Sequence, residues 1–169
     1  MSATGQFRKT AAGAADQWKD HALCVPILRA NPELFDRLWG FSDPVDRDFV
    51  LVGKKICGEC PVREECLAEA IVDHRDEGIY GGFSLSERKY AARILESAGL
   101  MVRDNQWAGR TDRISVIVDY LRSTPSLYED VRVMSNRLKR RKTYNYIPRR
   151  RSFSSRLRRP STAAMMPLF

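Results

Sequence analysis

Four cysteines, Cys24, Cys57, Cys60 and Cys66, form a C-x32-C-x2-C-x5-C array, and the 103 residues that follow contain no other. Thiols grouped in this way act on one object, because four thiolates fill one tetrahedral ion or one iron–sulfur cluster. The rest of the chain narrows the setting. It has no run of about 18 apolar residues, so no membrane-spanning helix is expected. Met1 to Ala15 is small and polar, without the apolar core of a secretion signal, so the expected location is cytoplasmic. In a reducing compartment such cysteines read as metal or redox sites before disulfides, with two bridges in an exported protein as the alternative.

Charge divides the chain in two. Residues 1–100 carry 13 Lys and Arg against 16 Asp and Glu, whereas residues 101–169 carry 16 against 5. From Val131 to Phe169 there are 12 basic residues and no acidic one. Such a run attracts a polyanion, with DNA as the expected partner and a solubilising extension as the alternative. The expected DNA contacts are Arg137, Lys139, Arg140, Arg141, Lys142, Arg149, Arg150, Arg151, Arg156, Arg158 and Arg159, with Tyr144, Tyr146 and Phe153 interleaved. No base-reading motif is evident, and the arginine runs lack a Gly-Arg-Pro core; a tail that only tethers the protein would contact phosphates, and a helix-turn-helix-like unit from helices at about 112–123 and 126–142 is the alternative.

Periodicity predicts an all-α fold. Asp16 is placed to cap a short helix through Trp18, Ala22 and Leu23 that carries Cys24 near its end, with Pro26 interrupting it. Asn31 to Phe35 reads as a capped single turn. Asp43-Pro44 is a helix start, and Val45, Phe49, Val52 and Ile56 recur at helical spacing before a stop near Gly58. Cys60-Pro61 opens the next helix. Three glycines in Gly78 to Gly82 mark a tight turn, and Ser84 with Glu87 fits a capping box for a helix from about Leu85 to Ala98, stopped by Gly99. Ile114, Ile117, Val118 and Leu121, then Leu127, Val131, Met134 and Leu138, predict helices over about 112–123 and 126–142. These divide the chain into a disordered 1–15, a cysteine-bearing domain 16–100, a linker 101–111, a helical basic segment 112–142 and a disordered basic tail 143–169.

On spacing alone, the site stays open among cluster, zinc and reactive thiols. Structural zinc commonly pairs two short knuckles, whereas here one C-x2-C stands beside a C-x5-C interval and a distant cysteine. His21 and His74 are available, but four thiolates already complete a site. A Cys57-x2-Cys60 pair suits thiol–disulfide exchange, yet no βαβ pattern accompanies it. No Ser/His/Asp grouping, P-loop or paired-carboxylate pattern stands out, so no enzyme is expected.

The cysteine array, the stretch Cys57 to Leu67 (CGECPVREECL), the turn Gly78 to Gly82 (GIYGG), Glu87-Arg88-Lys89 and Pro32-Glu33-Leu34-Phe35 together resemble the WhiB-like proteins of actinobacteria and their phages. The resemblance covers about Trp18 to Arg93. It implies a [4Fe-4S] cluster on Cys24, Cys57, Cys60 and Cys66, and transcriptional regulation through the C-terminal region of the primary sigma factor of RNA polymerase. Cluster damage by oxygen or nitric oxide is the implied signal. It also implies a partner-binding surface at Gly78, Ile79, Tyr80, Gly81 and Gly82; Trp18 and Phe35, which flank Cys24, are expected to join that surface, with core packing as the alternative, and the free protein is expected to be monomeric. The family's turn usually carries tryptophan where this chain has Tyr80, which offers less area and a hydroxyl in place of an indole N–H.

Overall fold

The computed structural model describes residues 17–40, 47–103 and 108–146, with side chains as far as Arg141. A short 3-10 helix, Gln17–His21, leads into seven α-helices. These are α1 (Val25–Ala30), α2 (Pro32–Trp39), α3 (Arg47–Gly58), α4 (Arg63–Val72), α5 (Leu85–Ser97), α6 (Arg110–Ser123) and α7 (Ser126–Tyr146). The expected all-α class is observed. An isolated bridge pairs Tyr80 with Phe83.

Local sequence accounts for most boundaries. Asn31 caps α2 through its side-chain oxygen, which accepts from the Leu34 N–H at 3.0 Å. The capping box at α5 is present, with Glu87 Oε2 accepting from the Ser84 N–H at 2.9 Å and from its hydroxyl at 2.8 Å. The expected stop at Gly58 coincides with the end of α3.

The front of the chain corrects the expectation. No single helix runs from Trp18 to Cys24, because the Ala22 and Val25 N–H groups bond back three residues, to Lys19 and Ala22, in 3-10 fashion. Cys24 instead precedes α1 as its N-cap residue, and Pro26 lies in that helix's first turn. There its missing N–H costs nothing, so it starts a helix rather than interrupting one. The single turn expected at Asn31 to Phe35 continues to Trp39. On α3, Val52 is 52% exposed and Gly53 is buried in its stead. On α7, Met134 is exposed and Ser135 takes the inward position. That helix also runs to Tyr146, four residues past its expected end. The expectations for residues 1–16, Asp43-Pro44, Val45, Trp107, the side chains from Lys142 onward and the tail beyond Tyr146 lie outside the described residues.

Two apolar clusters organise the molecule. The larger joins Leu67 and Ile71 of α4, Ala91 and Leu95 of α5, Ile117 and Leu121 of α6, and Leu127 and Val131 of α7. Four of its six largest fully buried side chains (Ile117, Leu121, Leu127 and Val131) belong to the last two helices. Each such burial stabilises by roughly 1.5–3 kcal/mol, so α6 and α7 complete this core rather than trail from it. The segment read as a linker is anchored in the same core, since Val102 is 2% exposed and its carbonyl accepts from Arg113 Nη1 at 3.1 Å. The smaller cluster centres on Leu38, Trp39 and Ile79, with Phe35, Phe49 and Ile56 packed against it. It holds α1, α2 and α3 together. No described helix is long and apolar enough to cross a membrane.

Candidate metal centre

All four cysteines line one cavity of about 230 Å³ beside the smaller cluster, with Arg63, Glu69 and Ala70 of α4 also in its wall. Each reaches it from a different place in the chain. Cys24 stands at the start of α1, Cys57 in the last turn of α3, Cys60 in the connection before α4, and Cys66 in the first turns of α4. The sequence achieves this by ending α3 at Gly58 and starting α4 at Arg63, with the Cys60 N–H bonded to the Cys57 carbonyl at 3.3 Å. All four thiols are unbridged and half-buried. His21 and His74 are exposed.

The glycine turn walls the same cavity. Tyr80 and Phe83 exchange two backbone hydrogen bonds, at 3.1 and 2.9 Å, across Gly81 and Gly82. Both glycines have positive φ, +55° and +83°, the pattern of a type I′ hairpin turn. A Cβ on Gly81 would stand 2.6 Å from Leu67 Cβ and 2.9 Å from the Arg63 carbonyl oxygen. Glycine is therefore required twice over, for backbone conformation and for close approach to α4.

That close approach aims backbone amides at sulfur. Burial pushes the Cys66 thiol up to about 12, opposed by a hydrogen bond from the Gly81 backbone, while Cys57, Cys24 and Cys60 raise it further. Cys57 is also raised by burial, against hydrogen bonds from the Trp39 indole and the Gly82 backbone. Cys24 is raised by burial and then by Cys57 and Cys60. The thiols thus sense one another across the cavity, and ionising them together requires a cationic object between them.

The size of that object can be bounded. Among the described residues, no three Cys, His, Asp or Glu side chains are grouped closely enough to hold one metal ion. A single zinc with thiolates at about 2.3 Å would draw the sulfurs to within about 3.8 Å of one another. The four thiols, with amides and an indole facing the sulfurs of Cys57 and Cys66, are a donor set that would fit a thiolate-bound polynuclear centre.

Three residues outside the expected site hold it together. The Trp39 indole N–H lies 3.2 Å from both Cys57 Sγ and the Gly53 carbonyl oxygen, and the Trp39 carbonyl accepts from the Ile79 N–H at 2.8 Å. Arg88, 3% exposed, donates from Nη1 to the carbonyls of Gly78 (2.7 Å) and Phe83 (2.9 Å), and from Nη2 to those of Arg75 (2.6 Å) and Glu77 (3.0 Å). One guanidinium therefore clasps both ends of the turn. Arg63 Nε donates to the Gly81 carbonyl at 3.1 Å, while its guanidinium lies 3.6 Å over the ring of Tyr128 on α7. Arg63 and Arg88 carried a sequence signal only as members of the CGECPVREECL and Glu87-Arg88-Lys89 stretches. Trp39 carried none beyond falling one turn after Phe35, and their rings lie 5.3 Å apart.

Of the expected partner-binding residues, Gly78 and Gly82 do not line the cavity and the other five, Trp18, Phe35, Ile79, Tyr80 and Gly81, do. The Tyr80 ring lies 5.0 Å from the Arg88 guanidinium. A second, shallower depression of about 490 Å³ is bordered by Phe35, Arg37, Trp39, Gly78 and Tyr80. The expected DNA contacts do not join this site. Arg137, Lys139, Arg140 and Arg141 are exposed on α7; Lys142 is in that helix with its side chain outside the described residues, and Arg149, Arg150, Arg151, Arg156, Arg158 and Arg159 lie beyond them.

The family described as transcription factor WhiB matches residues 18–90. The transcriptional regulator WhiB2 of Mycobacterium tuberculosis is 40% identical over 80 residues, covering 47% of this chain and 79% of that protein. WhiB1 of the same organism is 36% identical over 76 residues, covering 45% and 84% respectively. WhiB of Streptomyces coelicolor is 36% identical over 72 residues, covering 43% and 71%. No solved structure matches the chain significantly.

Proposed function

This chain belongs to the WhiB family of transcriptional regulators, and on that premise we propose that it is a cytoplasmic iron–sulfur regulator acting through the primary sigma factor. The observation that carries the reading is the convergence of Cys24, Cys57, Cys60 and Cys66 on one cavity walled by the Gly78–Gly82 turn. Those cysteines would hold a [4Fe-4S] cluster, which when bound supplies redox chemistry and sensitivity to oxygen or nitric oxide. The protein's own groups do the rest. Trp39, Gly81 and Gly82 direct N–H groups at the sulfurs of Cys57 and Cys66, and the apolar lining keeps water from them.

The partner surface proposed is the lip of the cavity. Trp18, Phe35 and Tyr80 present aromatic area beside the cysteines, the residue class that most often anchors a protein interface. A helical sigma-factor segment seated there would cover the cluster and make binding depend on it. The exposed basic residues of α7, with the basic run beyond, would then meet promoter DNA. Burial raises the Cys57 thiol, the reverse of an activated nucleophile, and the Cys57-x2-Cys60 pair sits between two helices rather than in a βαβ unit, so thiol–disulfide exchange is the weaker reading.

Anaerobically purified full-length protein should be brown, absorb broadly near 400 nm, and contain about four iron and four sulfide per chain. Colourless protein with one zinc equivalent overturns the cluster reading. In the same preparation Tyr80→Ala should weaken sigma-factor binding by roughly 2 kcal/mol, and Tyr80→Trp should preserve or strengthen it. Undiminished binding by the Ala variant removes the turn from the interface. Truncation after Leu138 removes ten of the twelve basic residues beyond Asp130 and should sharply lower DNA affinity with cluster content intact.

A further inference from the structure

Helix α7 has two unlike halves. Its first half is core, with Leu127, Val131 and Ser135 all under 5% exposed at four-residue spacing. Beyond Ser135 the cover ends: Leu138 is half-buried, while Asn136, Arg137, Lys139, Arg140 and Arg141 are all exposed. The helix nevertheless continues to Tyr146, eleven residues past Ser135. At 1.5 Å per residue that is a rod about 16 Å long, and from Asn136 to Arg141 every side chain but Leu138 is exposed. Arg137 and Arg141 stand one turn apart on it as like charges, and no acidic residue follows Asp130. The charge of this exposed stretch complements a polyanion.

Its outward face is more selective than a charge run. Val133, Asn136 and Arg140 follow one another at spacings of three and four, so they form a single stripe opposite Leu127, Val131 and Ser135. Val133 is 55% exposed despite being apolar. An apolar group, an amide and a guanidinium are the side-chain types that read the thymine methyl, adenine and guanine in the major groove. Arg137 and Arg141 flank this stripe on one side and Lys139 on the other, where the groove's two phosphate walls would stand. A helix about 10–12 Å across fits a groove about 12 Å wide.

We propose that the outward face of α7, from Val133 to the end of the helix, is a base-reading surface that enters the major groove of duplex DNA, with Val133, Asn136 and Arg140 facing the base edges and Arg137, Lys139 and Arg141 the phosphates. It rests on the reading of this region as DNA-binding and adds sequence recognition to it. About 16 Å of helix spans roughly five base pairs at 3.4 Å each, a half-site rather than a full operator. The sigma-bound polymerase would supply the remaining contacts.

The test uses the full-length protein and selection from a random-sequence duplex library, followed by guanine-N7 methylation interference on the selected site. The expected result is an enriched motif of about four to six base pairs, blocked by N7 methylation. Asn136→Ala and Arg140→Ala should each cut the preference for that motif over scrambled DNA by about tenfold, leaving affinity for scrambled DNA nearly unchanged. Lys139→Ala should weaken both DNAs alike and lower the salt slope by about one. The substituted side chains all face solvent, so far-UV circular dichroism should match wild type in every variant. Binding without an enriched motif overturns the inference while leaving the DNA-tether reading in place. Failure to bind any duplex overturns both. Preference for a structured RNA over duplex DNA overturns it as well, because the A-form major groove is too narrow for a helix.

Discussion

Gly81 concentrates the demands on this site. Its φ of +55° and the 2.6 Å that would separate an added methyl from Leu67 Cβ act together. Gly81→Ala should destabilise by about 2 kcal/mol or more, read as a lower urea midpoint, because neither the backbone nor α4 can yield cheaply. Gly58 makes the contrast, since nothing lies within 4 Å of a Cβ there. Gly58→Ala at the end of α3 should be neutral or stabilising by up to about 1 kcal/mol. Trp39 tests the electrostatics of the centre. Trp39→Phe keeps an aromatic ring but deletes the N–H beside Cys57 Sγ, so the reduction potential of the proposed cluster should move to more negative values in a spectroscopic titration. The cysteines and glycines were legible in the sequence because their chemistry depends on residue type. Trp39 was not, because an indole N–H gains its role only when a distant helix brings a sulfur to it.

At the scale of elements, helix ends and ion pairs decide how the parts are joined. Lys54 of α3 pairs with Glu87, which also caps α5, and Arg110 of α6 grips Asp73 at the end of α4 with bonds of 2.7 and 2.8 Å. Burial would raise the Glu87 carboxyl, but Lys54 and Ser84 outweigh it and hold it below its ordinary 4.5. The Arg110 hydrogen bonds hold Asp73 below its ordinary 3.8. Both are depressed acids, so their stabilisation is present above those ordinary values and is lost as pH falls through the folded ones. Stability in urea should therefore be flat near neutrality and decline below about pH 4.5. Asp73→Asn should flatten part of that decline, which a pH series of denaturation midpoints would reveal. The same scale shows why the expectation for Pro26 failed: periodicity finds apolar faces, whereas a proline's effect depends on which turn of a helix it occupies.

The described residues form two apolar clusters, with the cavity lined by the smaller cluster and by α4. The front group of α1, α2 and α3 supplies Cys24 and Cys57, and α4 with the connection before it supplies Cys60 and Cys66. A centre bound by all four cysteines would cross-link the two groups. Replacing Cys24 by Ala should therefore increase hydrogen exchange through α1 and α2 far more than through α6, where protection rests on the larger core. The family match ends at residue 90, yet α6 and α7 bury four of the six largest side chains. A fragment ending at Gly99 should consequently expose Leu67, Ile71 and Leu95, aggregate, and bind a hydrophobic dye that the full chain does not.

By itself the sequence determined the all-α class, the cysteine array, the glycine turn, the capping box of α5 and the split in charge. Each of these follows from residue type, or from spacing and composition along the chain, where local rules act. Tertiary structure alone decided that the glycine turn faces sulfur, that Arg88 clasps both its ends, and that Arg63 ties it to Tyr128 on α7. It also decided that α6 and α7 share the core of α4 and α5, and that α7 outruns that core with Asn136 and Arg140 turned outward. These are contacts between segments far apart in the chain, and no periodicity within one segment encodes which face another will cover.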